Sequence, residues 1–353
     1  MRINGKQKLA LAAGYLVLLG VSVLGQLSLQ SASIEDNMAA RDTLSREVAQ
    51  QGWIAFSAKV ERGDWDLFIM RPDGSSRRKL TDTPDFNEAG IRFSPDGQRI
   101  LYYRLPKKDP VANNTYGRYD MIIADNNGQN PINYGSDFPW ASWGPTGSQI
   151  SFLTPKGIHI ADLATRKVVR QLPRNGIVQQ LVWSPDGRWF LGTANGLGPY
   201  WNIGRLNIDT GEINAVSEVE RYNCTPDWAP NSKEIVYARG IIPEVGGRAE
   251  LWLASGDGQQ KQMLYAEGEQ HIYGACMSPN GQYLLFTRSS NDMGDKDSSQ
   301  AMLALIRRND TPMIGGQSAV LNKRYPEAKP GPRLDLGQGW EPCWTVADVP
   351  VPK

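Results

Sequence analysis

The chain has 353 residues, with 38 Lys and Arg against 37 Asp and Glu and a formal net charge of +1. No strong run of one sign occurs, so no nucleic-acid partner is expected. The length suits one large β domain or two ordinary ones, and the repeats described below favour one.

Arg2, Lys6 and Lys8 precede the apolar run Leu9–Leu29, and no charge occurs from Leu9 to Ile34. Residues 1–33 therefore read either as a cleaved signal peptide or as an uncleaved membrane anchor. The run is long for a signal peptide and just long enough to span. A small-residue cleavage site would fall near Ser31, Ala32 and Ser33. Both readings keep the basic end in the cytoplasm and export the rest. The compartment is then periplasmic or otherwise extracytoplasmic, with a tether to the inner membrane if the segment is retained. Ile34–Gly52 is polar and mixed in charge, and reads as a linker or a short helix.

From Trp53 the chain repeats. One short element recurs as IRFSPDG (Ile91–Gly97), ASWGPTG (Ala141–Gly147), LVWSPDG (Leu181–Gly187), PDWAPNS (Pro226–Ser232), ACMSPNG (Ala275–Gly281) and a truncated PCWT (Pro342–Thr345). The anchors Phe93, Trp143, Trp183, Trp228, Met277 and Trp344 lie 50, 40, 45, 49 and 67 residues apart. A strand-built repeat of this period is the signature of a β-propeller with one four-stranded blade per unit. In the Ser-Pro-Asp-Gly copies a strand enters a turn in which Pro presets φ, Asp bonds locally and Gly takes positive φ. An apolar strand follows at once, as in RILYYR (Arg99–Arg104) and YLLFTR (Tyr283–Arg288). These runs are apolar on both faces, as strands stacked between neighbouring sheets must be.

Each unit reads A-B-C-D, with A innermost. WIAFSA (Trp53–Ala58), DLFIM (Asp66–Met70) and RRKLT (Arg77–Thr81) form a B-C-D set with no A strand before it. The missing strand is PCWT at the other end. The expected fold is all-β: a six-bladed propeller over residues 53–348, closed by the C-terminal strand, with 349–353 as a tail. Closure removes exposed sheet edges.

Asp66–Gly97 resembles the TolB-type propeller repeat, through LFIMRPDGSSRRKLT followed by FSPDG. The resemblance extends more loosely from Trp53 to about Val346. It implies an exported protein that acts through protein–protein contact. TolB proper also carries a globular domain before its propeller, whereas only Ile34–Gly52 intervenes here.

Function is expected on one face. A–B and C–D turns share one side of a propeller; D–A and B–C loops share the other. Insertions fall in the B–C loops Leu105–Tyr119, Asn195–Trp201, Gly240–Gly247 and Ser289–Ser299, and Thr311–Gly339 is expected to run toward a D–A position. Loops on a rigid scaffold commonly carry binding residues. The residues just before each A strand should reach the channel mouth on that face. The candidate binding residues are Glu88, Phe138, Trp140, Gln180, Tyr222, Asn223, His271, Tyr273, Trp340 and Glu341. Aromatic and amide groups in that arrangement suit a protein loop, a peptide or a sugar. Taken singly, each aromatic also reads as a packing residue.

Catalytic chemistry is not expected. The chain has two His, too few for the His-based metal site of oligogalacturonate lyase, a propeller enzyme that the repeat also resembles. No G-x-S-x-G occurs, and GGQSA (Gly315–Ala319) lacks the second Gly. Glu88 and Glu341 could form an acid/base pair, although carboxylates at a channel mouth are commonly rim charges. Cys276 and Cys343 precede their anchors in adjacent blades and should point side by side, without a disulfide. No metal or cofactor is expected. The favoured reading is an exported, membrane-tethered scaffold for an envelope protein or peptide. The alternatives are a carbohydrate-binding or carbohydrate-cleaving propeller and a purely structural module.

Overall fold

The computed structural model describes residues 37–111, 118–240, 249–268, 270–290, 300–308, 311–316 and 318–351. The expected signal peptide or anchor lies outside the described residues, as do large parts of three B–C loops. Among the described residues no helix is long and apolar enough to cross a membrane.

Residues 37–48 form helix α1, so the expected linker carries a docked element. Leu44 and Val48, four apart and therefore on one face, are fully buried with Ile54, Leu305 and Trp344. Glu47 pairs with Arg307 at 2.8 Å, and Arg41 with Asp335 at 3.6 Å.

The strands follow the repeat. β1 (Trp53–Lys59), β2 (Trp65–Met70) and β3 (Arg78–Lys79) come first. β4 (Phe86–Phe93), β5 (Arg99–Pro106), β6 (Asp120–Asp125) and β7 (Ile132–Gly135) make the next sheet. The one after is β8 (Ser142–Trp143), β9 (Gln149–Thr154), β10 (Gly157–Asp162) and β11 (Val168–Leu172). It is followed by β12 (Ile177–Trp183), β13 (Trp189–Ala194), β14 (Asn202–Asn207) and β15 (Ile213–Ala215). Then come β16 (Asn223–Trp228), β17 (Glu234–Gly240), β18 (Ala249–Ser255) and β19 (Lys261–Glu267). The last full set begins with β20 (His271–Met277), β21 (Tyr283–Ser289) and β22 (Met302–Arg307). The chain then leaves this sheet through β23 (Met313–Gly315) and helix α2 (Ala319–Arg324) before β24 (Arg333–Gln338) returns as its fourth strand. β25 (Trp340–Thr345) pairs antiparallel with β1, Trp53 facing Thr345 and Ile54 facing Trp344. The result is a ring of six sheets closed between its two ends, as the repeat predicts.

The turn chemistry explains the repeat. In SPDG, Ser94 donates to Asp96 at 2.6 Å, its Oγ accepts from the amide of Arg99, and Gly97 has φ 68°. Ser184, Asp186 and Gly187 repeat this, as do Ser278, Asn280 and Gly281. Alternate B-strand residues then serve two cores. Ile100 and Tyr102 pack toward β1 and β2, whereas Leu101 and Tyr103 pack toward β8 and β9. This is why the B and C strands read as unbroken apolar runs.

The segment Thr311–Gly339 departs from its expected position. It is a C–D insertion that contains the D strand itself, because β22 pairs with β24. Within it, β23 adds in parallel to the outer edge of the neighbouring sheet, Tyr265 facing Met313. Tyr325 then locks the crossing. Its hydroxyl donates to Glu250 Oε1 at 2.7 Å, while Trp252 Nε1 donates to Oε2 at 2.9 Å. Glu250 is fully buried, so Tyr325→Phe leaves one carboxylate oxygen short of a donor and should cost about 1–3 kcal/mol. A urea midpoint measures this; an unchanged midpoint would show that Arg324, 3.6 Å away, suffices.

Candidate functional site

The backbone bends at the same place in, or just before, every A strand. Three residues before each anchor the backbone is left-handed: Gly90 (φ 70°), Trp140 (53°), Gln180 (57°), Thr225 (48°), Gly274 (52°) and Glu341 (44°). The ladder to the B strand slips there, between Ala89 and Arg92, Gln179 and Val182, Cys224 and Asp227, and Tyr273 and Cys276. These are bulges, and a non-glycine residue in this region costs about 1–2 kcal/mol. Side chains hold them. Gln180 Oε1 accepts from the Thr225 amide at 2.8 Å and from Thr193 Oγ1 at 2.5 Å. Thr225 Oγ1 accepts from Gly274 N at 3.4 Å, and Thr287 Oγ1 from Glu341 N at 3.0 Å. Tyr103 OH accepts from Ala141 N at 2.6 Å and donates to Phe138 O. Several of these bonds run from one blade to the next.

The bulges surround a central cavity of about 80 Å³. Trp140, Gln180, Thr225 and Glu341 form its upper wall, and Arg92, Asp227, Cys276 and Cys343 line it two residues deeper. Burial pushes the Asp227 carboxyl up to about 6, against the pull of Arg92 and the Trp228 amide. Burial likewise raises Cys343 to about 12 and Cys276 well above the usual thiol range, so both stay protonated. Arg92 Nη2 lies 4.0 Å from Glu341 Oε2.

Of the ten candidate residues, Trp140, Gln180 and Glu341 line this cavity. The others separate into three groups. Glu88, Asn223 and Trp340 are built into the scaffold rather than presented at the mouth, with exposures of 0, 1 and 0%. Glu88 accepts from Thr81, Thr83 and Arg104, and burial raises its carboxyl despite those bonds. Glu88 is fully buried and does not line the cavity that Glu341 lines. Asn223 donates to the carbonyls of Glu218 and Arg221 at 2.8 Å each, which ties down the loop before β16. Phe138 packs edge-on to Phe152 at 4.8 Å, and His271 stacks on Tyr273 at 5.9 Å.

Tyr222 alone stands outward, 57% exposed. It meets two residues of the β13–β14 loop, Tyr200 at 4.7 Å and Trp201 at 6.3 Å. Those rings are themselves 39 and 40% exposed. The D–A loop before β16 and the B–C loop Asn195–Trp201 therefore meet in an aromatic cluster. Among the described residues no group of three or more His, Cys, Asp or Glu is placed to hold a metal ion.

Sequence reasoning missed Arg92 and Asp227. Each immediately precedes an anchor, in the same column of the repeat as Cys276 and Cys343. Aligning that column around the ring would have collected all four.

No protein-family model and no curated protein matches the chain. Solved structures do. TolB from Acinetobacter baumannii is 17% identical, with a TM-score of 0.58 over 84% of this chain and 67% of that one. A putative TolB from Agrobacterium tumefaciens is also 17% identical, with a TM-score of 0.50 over 82% and 91%. A chain of a nidogen/laminin complex is 13% identical, with a TM-score of 0.52 over 73% and 90%. The fold is thus a TolB-like six-bladed propeller.

Proposed function

We propose that this TolB-like propeller is an exported scaffold that binds a protein or peptide segment on the face bearing its D–A and B–C loops. The observation that carries the reading is the exposed cluster of Tyr200, Trp201 and Tyr222. Clustered rings offer large contact area at low entropic cost, and exposed aromatic patches mark interaction sites. The TolB-like fold and the complex of the nidogen-like propeller support a protein partner. The apolar run Leu9–Leu29 supports export, with a tether to the inner membrane where it is retained. The same rings could stack on a sugar, which is the second reading.

Crosslinked recovery from membranes tests this with the unaltered chain and a Trp201→Ala, Tyr222→Ala variant. Both side chains are substantially exposed, so the variant should keep its stability within about 1 kcal/mol. Partners lost only from the variant support the reading; an identical partner set sinks it. A melting temperature raised by oligosaccharides and not by any protein fraction would favour the sugar.

A further inference from the structure

Closing the ring leaves each sheet one open edge, the outer side of its fourth strand, and an open edge is a template for another strand. Most of these edges are short or covered. β3 has two residues, β15 three and β7 four. β19 is covered by β23, and Leu334 and Leu336 of β24 pack with Leu44 of α1. β11 is different. It has five residues, and β10 is its one partner strand among the described residues. Every residue from Ala164 to Gln171 is exposed, Val168 at 50% and Val169 at 54%. The ladder to β10 slips between Val168 and Arg170; β19 has a like slip between Met263 and Tyr265 and takes β23 regardless.

The edge is also basic. Residues 155–175 hold five Lys and Arg but one carboxylate, Asp162. Asp162 is occupied by its own turn, accepting from Thr165 N and Oγ1 at 2.8 Å each. Arg170 donates to Ile208 O at 2.6 Å and lies 3.4 Å from Asp209, and Arg166 lies 4.4 Å over the Tyr134 ring. Even with Asp209 counted, five cations stand against two carboxylates. Lys156 and Lys167 are exposed and enter no ion pair among the described residues. They mark the two ends of the strand. Lys167 precedes Val168, and the carbonyl of Lys156 accepts from Gln171 Nε2 at 3.0 Å.

We propose that β11 is a docking edge, to which an extended acidic segment of a partner protein adds as a fifth strand. The molecule builds one five-stranded sheet in this way already, with β23 on β19. Main-chain bonds hold the guest, Val168 and Val169 meet its apolar side chains, and Lys156 and Lys167 meet its carboxylates. The same charges disfavour a second copy of this chain, which would set Arg166, Lys167 and Arg170 against their own kind. The edge shares no residue with the cluster of Tyr200, Trp201 and Tyr222.

Calorimetric titration of the full chain at pH 7.5 and low salt tests this with three blocked octapeptides, the pH being about that of a neutral buffer. One alternates Glu and Val, one alternates Lys and Val, and one is the Glu peptide N-methylated at every second residue. N-methylation keeps the charge and removes the main-chain donors of one edge. The Glu peptide should bind about tenfold more tightly than either of the others. Lys156→Glu with Lys167→Glu should remove that preference; both side chains are exposed, so the fold should be kept. No binding of the Glu peptide, or equal binding of the Lys peptide, overturns the proposal. Equal binding of the N-methylated peptide overturns it too, by showing charge attraction without strand addition. So does a dimer of the chain that excludes the Glu peptide, which would give the edge to a second copy. The three-peptide comparison needs no variant, and it does not involve Trp201 or Tyr222.

Discussion

Removal of residues 340–353 should abolish cooperative folding of the ring. β25 is buried at every position, and it supplies the inner strand of the sheet to which β1, β2 and β3 belong. Without it, the β1 groups that pair with Cys343, Trp344 and Thr345 lose their partners inside the molecule. Trp340, the largest fully buried side chain among the described residues, is lost from the core shared with Leu101, Tyr103 and Phe152. Trp344 goes with it, together with its bond from Nε1 to the carbonyl of Gln51 at 2.6 Å. Trp340→Ala alone should cost about 3–5 kcal/mol, against about 5–15 kcal/mol for the whole of a typical domain. The truncation removes that contact and the strand pairing besides. Thermal melts followed by far-ultraviolet circular dichroism measure both. A truncated chain with a sharp, unshifted transition would mean that closure is dispensable.

Stability should fall as pH rises from about 4 to about 6. Asp227 has an ordinary value of 3.8 and a folded value of about 6, so in this window the folded chain holds a proton that the unfolded chain has released. The contribution is full below the unfolded value and is lost as pH passes the folded one, on the order of 3 kcal/mol in all. Glu88, raised by burial, acts in the same direction. The Cys276 and Cys343 thiols, which line the same cavity, stay neutral through this window and do not cancel the effect. Asp64 acts oppositely. Arg62 holds it at about 2, so its contribution is present above 3.8 and lost as pH falls through about 2. Urea midpoints from pH 2 to 8 should therefore peak near pH 4, and Asp227→Asn should flatten the limb above the peak. Parallel curves for the two chains between pH 4 and 6 would refute the assignment.

The ring was legible because its signal is local and repeated. Ser94, Pro95, Asp96 and Gly97 specify a turn within four residues, and the same chemistry returns at Ser184 and Ser278. β25 could be assigned across the chain because the first B-C-D set lacks an A strand. Thr311–Gly339 was misplaced because nothing local says that Met313–Gly315 will add to the edge of another sheet; β19, which it joins, lies nearly fifty residues earlier. The docking of helix α1 was obscured for a similar reason: of its apolar side chains only Leu44 and Val48 are buried, and Met38 is exposed. The candidate site was half visible. Proximity to the A strand found Trp140, Gln180 and Glu341, but it could not tell them from Glu88 and Asn223. That difference lies in the bulge, which turns one residue per blade toward the axis and leaves its neighbours in the wall.

The seam between β1 and β25 also has a mechanical meaning. The two strands run antiparallel, so the start of one and the end of the other lie together at Trp53 and Thr345. Tension applied between those ends would load the hydrogen bonds one at a time, as in opening a zipper, and not all at once in shear. α1 sits in the path of such a load. A pull arriving from before residue 37 must first break the Glu47–Arg307 pair and lift Leu44 and Val48 from Trp344. Only then does it reach the seam. The helix thus acts as a strain relief, keeping force on the leading chain away from the junction that a closed ring can least afford to open.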